Sequence, residues 1–126
     1  LQAAGQFRNF AVARDGSFVV YLARVGEETQ LWIRDLRGTE AKPIAGTEGA
    51  GGTPLLSPDG TRVAFDMLGD IYVMPITGGT PTRIGEGLSY DQQPRWSPDG
   101  TRIAFVSDRG GGDNIWIMRA DGSDKK

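Results

Sequence analysis

The 126-residue sequence contains no cysteine and no histidine. Without cysteine there is no disulfide, no thiolate metal site and no thiol nucleophile. Without histidine the commonest general base and transition-metal ligand are gone, and so is any Ser-His-Asp triad. A dominant charge is also lacking: 14 basic residues face 16 acidic ones, for a net charge of −2. That balance provides no electrostatic footprint for nucleic acid or for an anionic membrane surface, and neither is expected as a partner. No apolar run approaches the length of a membrane span. Leu1 to Gln6 lacks the charged start and the apolar stretch of a leader peptide.

Glycine, in contrast, is abundant at 19 residues, and proline adds 7. Punctuation of this density suits many short strands joined by tight turns. It is also periodic. Arg14-Asp15-Gly16, Pro58-Asp59-Gly60 and Pro98-Asp99-Gly100 mark three units, with their aspartates 44 and 40 residues apart. A second marker follows each: Leu31-Trp32-Ile33, Ile71-Tyr72-Val73 and Ile115-Trp116-Ile117. Ser57-Pro58-Asp59-Gly60-Thr61-Arg62-Val63-Ala64-Phe65 reappears, with one conservative change, as Ser97-Pro98-Asp99-Gly100-Thr101-Arg102-Ile103-Ala104-Phe105.

Each unit reads as four strands. Strand A, as in Pro94-Arg95-Trp96, runs into the Asp-Gly turn, where glycine accepts positive φ and aspartate bonds nearby amides. Strand B follows at Phe18 to Leu22, Val63 to Phe65 and Ile103 to Val106. Strand C carries the aromatic marker. A turn with Gly38, Gly78-Gly79 or Gly122 leads to a short strand D, Lys42-Pro43-Ile44 or Thr82-Arg83-Ile84. Four-stranded units at a period of roughly 40–45 residues are the sequence sign of propeller blades.

The repeat Ser97 to Phe105, followed by Ser107-Asp108-Arg109-Gly110 and Asn114-Ile115-Trp116-Ile117-Met118, resembles that of TolB-type propellers. Similar blades occur in the tricorn protease and in propellers fused to amidohydrolases, peptidases and bacterial protein kinases. The first unit departs from the pattern with Ala13-Arg14-Asp15-Gly16, and the second shortens its B–C loop to Asp66-Met67-Leu68-Gly69-Asp70. The resemblance implies an all-β fold, a β-propeller with three four-stranded antiparallel blades per chain. Blade boundaries are expected near residues 7–48, 50–87 and 90–126. Function varies widely on this architecture, so the resemblance assigns no activity.

The third unit stops early, with Ser123-Asp124-Lys125-Lys126 after Gly122. Joining residue 126 to residue 1 produces Lys-Lys-Leu-Gln, which resembles the strand D segments with Leu1 one position short of register. The third spacing then becomes 42, and the three spacings add up to the chain length. Three blades cannot close a ring, because ordinary propellers have about four to eight. Two copies make six, the number the resemblance implies. We therefore expect a C2 homodimer in which Leu1, Gln2, Ala3 and Ala4 pair with strand C of the partner's third blade, around Ile115 and Ile117.

Candidate chemistry is sparse. Asp15, Asp59 and Asp99 recur at one turn position per unit and read as turn stabilisers. Ser57 and Ser97 recur likewise. Trp32, Tyr72 and Trp116 form one column on strand C and read as packing between blades. Gly46-Thr47-Glu48-Gly49-Ala50-Gly51-Gly52 lacks the Gly-Lys-Ser/Thr ending of a phosphate loop. Asp108, Asp113 and Asn114 flank three glycines but match no EF-hand spacing. No catalytic residue, metal or cofactor is expected. A peptide or protein partner is expected where the D–A and B–C loops emerge around the channel mouth. The D–A loops offer Gln6, Arg8, Asn9, Glu48, Thr53, Tyr90, Asp91, Gln92, Gln93 and Arg95. The B–C loops offer Arg24, Asp66, Asp70, Asp108 and Arg109. Two readings follow: a non-catalytic, self-assembling half-propeller, natural or engineered, or a fragment of a propeller that docks or gates an attached hydrolase, peptidase or kinase.

Overall fold

The computed structural model describes residues 9–84 and 89–126. They form three antiparallel sheets, each built from strands in simple up-and-down order. The first holds β1 (Phe10–Val12), β2 (Phe18–Val25), β3 (Glu28–Asp35) and β4 (Ala41–Pro43). The second holds β5 (Gly51–Leu56), β6 (Arg62–Met67), β7 (Asp70–Pro75) and β8 (Thr82–Arg83). The third holds β9 (Asp91–Trp96), β10 (Arg102–Ser107) and β11 (Asn114–Arg119).

The Asp-Gly turns are built as their sequence suggests. The Asp59 carboxylate accepts from the Thr61 N–H (3.1 Å), the Thr61 hydroxyl (2.8 Å) and the Ser57 hydroxyl (2.7 Å). Asp99 repeats the set with Thr101 and Ser97. These donors favour the ionised form, the serine hydroxyl most in each case, and hold both carboxyls at about 2. In the first sheet Ala13 replaces the serine, and Asp15 keeps its two bonds from Ser17. Gly16, Gly60 and Gly100 share φ values of 74–76°, where a Cβ would be strained.

Alternate side chains along each strand face opposite neighbours, so each sheet packs on the next. The seam between the first and second sheets buries Val20, Leu31 and Ile44 against Val63, Phe65 and Met74. The seam between the second and third buries Ala64, Ile71, Val73 and Ile84 against Ile103, Phe105 and Met118. Fully burying one large apolar side chain stabilises by about 1.5–3 kcal/mol. The sheets are therefore held by one another, not by hydrogen bonding alone.

Two local details depart from the simple repeat. Several residues expected on loops belong to strands: Arg24 to β2, Thr53 to β5, Asp66 to β6, Asp70 to β7, and Asp91, Gln92, Gln93 and Arg95 to β9, which bulges between Gln92 and Arg95. Gln93 takes φ 54° there, and Gly52 takes φ 66° within the corresponding irregularity of β5. The outer edge of β11 is partly covered. Lys126 exchanges backbone hydrogen bonds with Ile117 at 2.8 and 2.9 Å, as Lys42 pairs with Ile33 and Thr82 with Val73. The residues expected to extend this edge, Leu1, Gln2, Ala3 and Ala4, lie outside the described residues, as do Gln6 and Arg8.

Candidate functional site

The loop and strand-end residues singled out above divide into those engaged by the fold and those presented on the surface. Asp91 is almost fully buried. Its carboxylate accepts from the Ser107 hydroxyl at 2.6 Å and pairs with the Arg109 guanidinium at 2.7 Å. Arg109 also reaches the Ser89 and Ser107 hydroxyls, at 3.1 and 2.9 Å. Its guanidinium lies 5.2 Å from the Phe105 ring and 5.6 Å from the Trp116 ring. A buried carboxylate needs such compensation, because its desolvation costs several kcal/mol. The Ser107-Asp108-Arg109 motif thus clamps the start of β9 to the end of β10. Asp108 contributes by accepting the Tyr90 N–H at 2.8 Å. The Asp91 N–H crosses to the Gly69 carbonyl of the second sheet at 2.6 Å.

Several other residues serve their own loops. Glu48 accepts from Gln30 Nε2 and from the Gly46 N–H, both at 3.1 Å. Arg24 donates to the Gly26 carbonyl at 3.2 Å. Asn9 accepts from the Thr53 hydroxyl at 3.4 Å, and Asp70 pairs with Arg83 at 2.8 Å. In the glycine-rich segment, Thr47 is buried, and its hydroxyl donates to Ile44 and accepts from the Leu31 N–H. Among the described residues no three acidic side chains gather as a metal-binding group.

Tyr90, Gln93 and Arg95 are exposed. The Tyr90 ring lies so close over Gly69 that a Cβ there would fall 2.5 Å from it. Beside this tyrosine stands a residue that the sequence reading did not single out. Leu68 occupies the two-residue turn between β6 and β7 with φ 53° and is 94% exposed. A turn of that kind favours Asn-Gly over Leu-Gly, so the mismatch at Leu68-Gly69 was the available signal. Asp66, at the end of β6, is half-buried. Desolvation raises its carboxyl above the ordinary range, and the Gln93 N–H, at 3.4 Å, offsets this in part.

A different surface stands out for its hydrophobicity. Phe10 and Val12 on the first sheet are each 51% exposed, and Ile115 and Ile117 on the third are 72% and 45% exposed. Leu31 and Ile71 hold the position of Ile115 within their own sheets and are fully buried. The two end faces are therefore built like internal seams, and among the described residues nothing covers them. One exception is Arg34, which sits opposite Val19 where the other sheets place Met74 and Met118.

Comparison with known proteins agrees with this architecture. The family profile described as the TolB beta propeller domain matches residues 9–126. Putative TolB from Agrobacterium tumefaciens superposes with a TM-score of 0.80 at 28% identity, covering 94% of this chain and 44% of that one. TolB from Acinetobacter baumannii gives 0.77 at 26% identity, covering 94% and 31% respectively. The tricorn protease shares the fold, with a TM-score of 0.70 at 17% identity over 94% of this chain and 12% of its own. The chain spans less than half the length of either TolB structure. It belongs to the TolB β-propeller domain family.

Proposed function

We propose that the chain is a non-catalytic propeller module that pairs with a second copy to form a six-bladed ring. The observation that supports this reading is Ile115, 72% exposed at a position where Leu31 and Ile71 are 0% exposed. Covering both end faces removes apolar area from water at about 25 cal/mol per Å², before association costs. The edge would be completed as in the other blades. The Ile44 N–H donates to Leu31 (2.8 Å), and the Ile84 N–H donates to Ile71 (2.9 Å). In the ring, the segment Leu1 to Ala4 of the second copy would supply that donor to the Ile115 carbonyl. A peptide or protein partner would then meet Tyr90, Gln93 and Arg95 at the channel mouth.

Light scattering across a dilution series tests the assembly. The expected result is twice the chain mass, with a melting temperature that rises with protein concentration. A folded monomer at every concentration would overturn the reading, and a trimer would overturn six-bladed closure.

A second reading, that the chain is part of a longer propeller serving an attached enzyme, is favoured by its 44% and 31% coverage of the two TolB structures. In that case further blades of the same polypeptide cover the two faces, and the isolated chain stays monomeric or aggregates.

A further inference from the structure

The internal seams share a contact that the end faces are shaped to repeat. The third residue after each turn aspartate opens strand B: Phe18, Arg62 and Arg102. Register confirms their equivalence, since they pair with Asp35, Pro75 and Arg119 respectively. Strand A ends in Val12, Leu56 and Trp96, which pair with Val19, Val63 and Ile103.

At the second seam the Arg62 guanidinium lies 4.7 Å from the Trp96 ring centroid, and Nη2 donates to the Gly100 carbonyl at 3.2 Å. At the first seam Phe18 and Leu56 both pack on the core, and the Phe18 ring lies 3.8 Å from where a Gly60 Cβ would stand. In both seams, then, the residue opening strand B reaches the Asp-Gly turn of the next blade, and at the second seam it also covers the end of strand A. The glycines of both covered turns are also approached from the preceding blade. Gly60 is approached by Phe18 of the preceding blade, and Gly100 by Pro58, whose Cδ is 3.4 Å from the Cβ position. Gly16, with the same φ, has nothing within 4 Å.

Arg102 holds the corresponding place on the open face of the third blade. Its side chain is 45% exposed, and Asp124 stands 4.0 Å away. We propose that Arg102 is a specificity contact for a second copy of this chain. Its aliphatic stem covers Val12, and its guanidinium donates to the Gly16 carbonyl of that copy, as Arg62 does to Gly100. Arginine suits both halves of this role, with an apolar stem and a head that carries several donors. The inference rests on the two-copy reading above.

Sedimentation of the full chain and three variants separates the two ideas. Arg102→Asp should weaken the dimer about 30-fold or more, the loss typical of a central interface anchor. Arg102→Phe should stay within about threefold of the parent, because Phe18 performs the same task at the first seam. Lys42→Asp, the same charge change on the outer strand β4, should leave association unchanged. A parent chain that never dimerises overturns both the reading and the contact. A parent that dimerises, with Arg102→Asp equally tight, overturns the contact alone. So does an Arg102→Phe chain that keeps the parent's circular dichroism but dimerises as poorly as Arg102→Asp.

Discussion

The seam between the first and second blades and the seam between the second and third bury the same rows of strand positions but differ at their ends. Where the first places Leu22 against its core, the second places the half-buried carboxylate of Asp66. Where the first has Phe18 beside the Gly60 turn, the second has Arg62 over Trp96. The middle rows are alike: Val20 and Leu31 match Ala64 and Ile71 on one side, and Phe65 matches Phe105 on the other. Shared middles with divergent ends imply that burial of the central side chains carries the cohesion. The ends need reach and cover, which an arginine stem provides as well as a phenyl ring does.

The largest expected effect tests the shared middle. Phe65→Ala and Phe105→Ala should each destabilise the chain by about 3–5 kcal/mol, through lost transfer energy and the cavity left behind. Phe65 stacks on Tyr72 with ring centroids 5.8 Å apart, and Phe105 lies under Arg109. Urea denaturation of the two variants should give losses within about 1 kcal/mol of each other. A loss at one site more than twice that at the other would show that the seams are not equivalent at their centres.

The division between middle and ends also explains what could be read from the sequence. The Asp-Gly turns, the strand order and the aromatic column recur in each unit, and recurrence exposes a structural role. The blade fold was legible for that reason. Asp91 with Arg109 was not legible as a pair, because the partners lie 18 residues apart and only a bulged β9 brings them together. Both were named as surface candidates, yet the fold engages each with the other. Asp66 was named as a B–C loop residue, yet it lies in β6 at the register position of Leu22 and Val106. Its partial burial depends on the close approach of Gly52, whose Cβ position is 2.8 Å from both carboxylate oxygens. No spacing in the sequence encodes that approach.

A smaller effect separates the turn ends of the seams. Phe18→Ala should cost about 1–3 kcal/mol, as a partly buried ring leaves the core. Arg62→Ala should cost about 1–2 kcal/mol, from a modest cation–π contact, one net hydrogen bond and the lost cover of the aliphatic stem over Trp96. Arg62→Leu should recover part of that loss by restoring the stem over Trp96. If Arg62→Leu is no better than Arg62→Ala in denaturant midpoint, cover is not what this end of the seam requires.

The smallest effect concerns the opposite ends and depends on pH. Burial raises the Asp66 carboxyl in the folded chain above its unfolded value near 3.9. Folding then takes up protons at this site, so ionised Asp66 opposes folding at neutral pH. The penalty fades as pH falls through the raised value and is gone below about 3.9, where both states are protonated. Asp66→Asn should therefore melt higher than the parent at neutral pH, with the difference closing on acidification. The turn aspartates run the other way. Asp59 and Asp99 are held at about 2, so their contribution is full above the unfolded value and is lost as pH falls towards 2. Asp59→Ala should melt lower than the parent at neutral pH, and that gap should shrink only in stronger acid. Thermal melts of the three proteins from neutral pH down to about pH 2 would resolve the two windows. An Asp66→Asn chain that melts at or below the parent at neutral pH would mean that the carboxylate is stabilised where it sits. The polar end of the second seam would then be a favourable contact, equivalent in effect to Leu22 at the first.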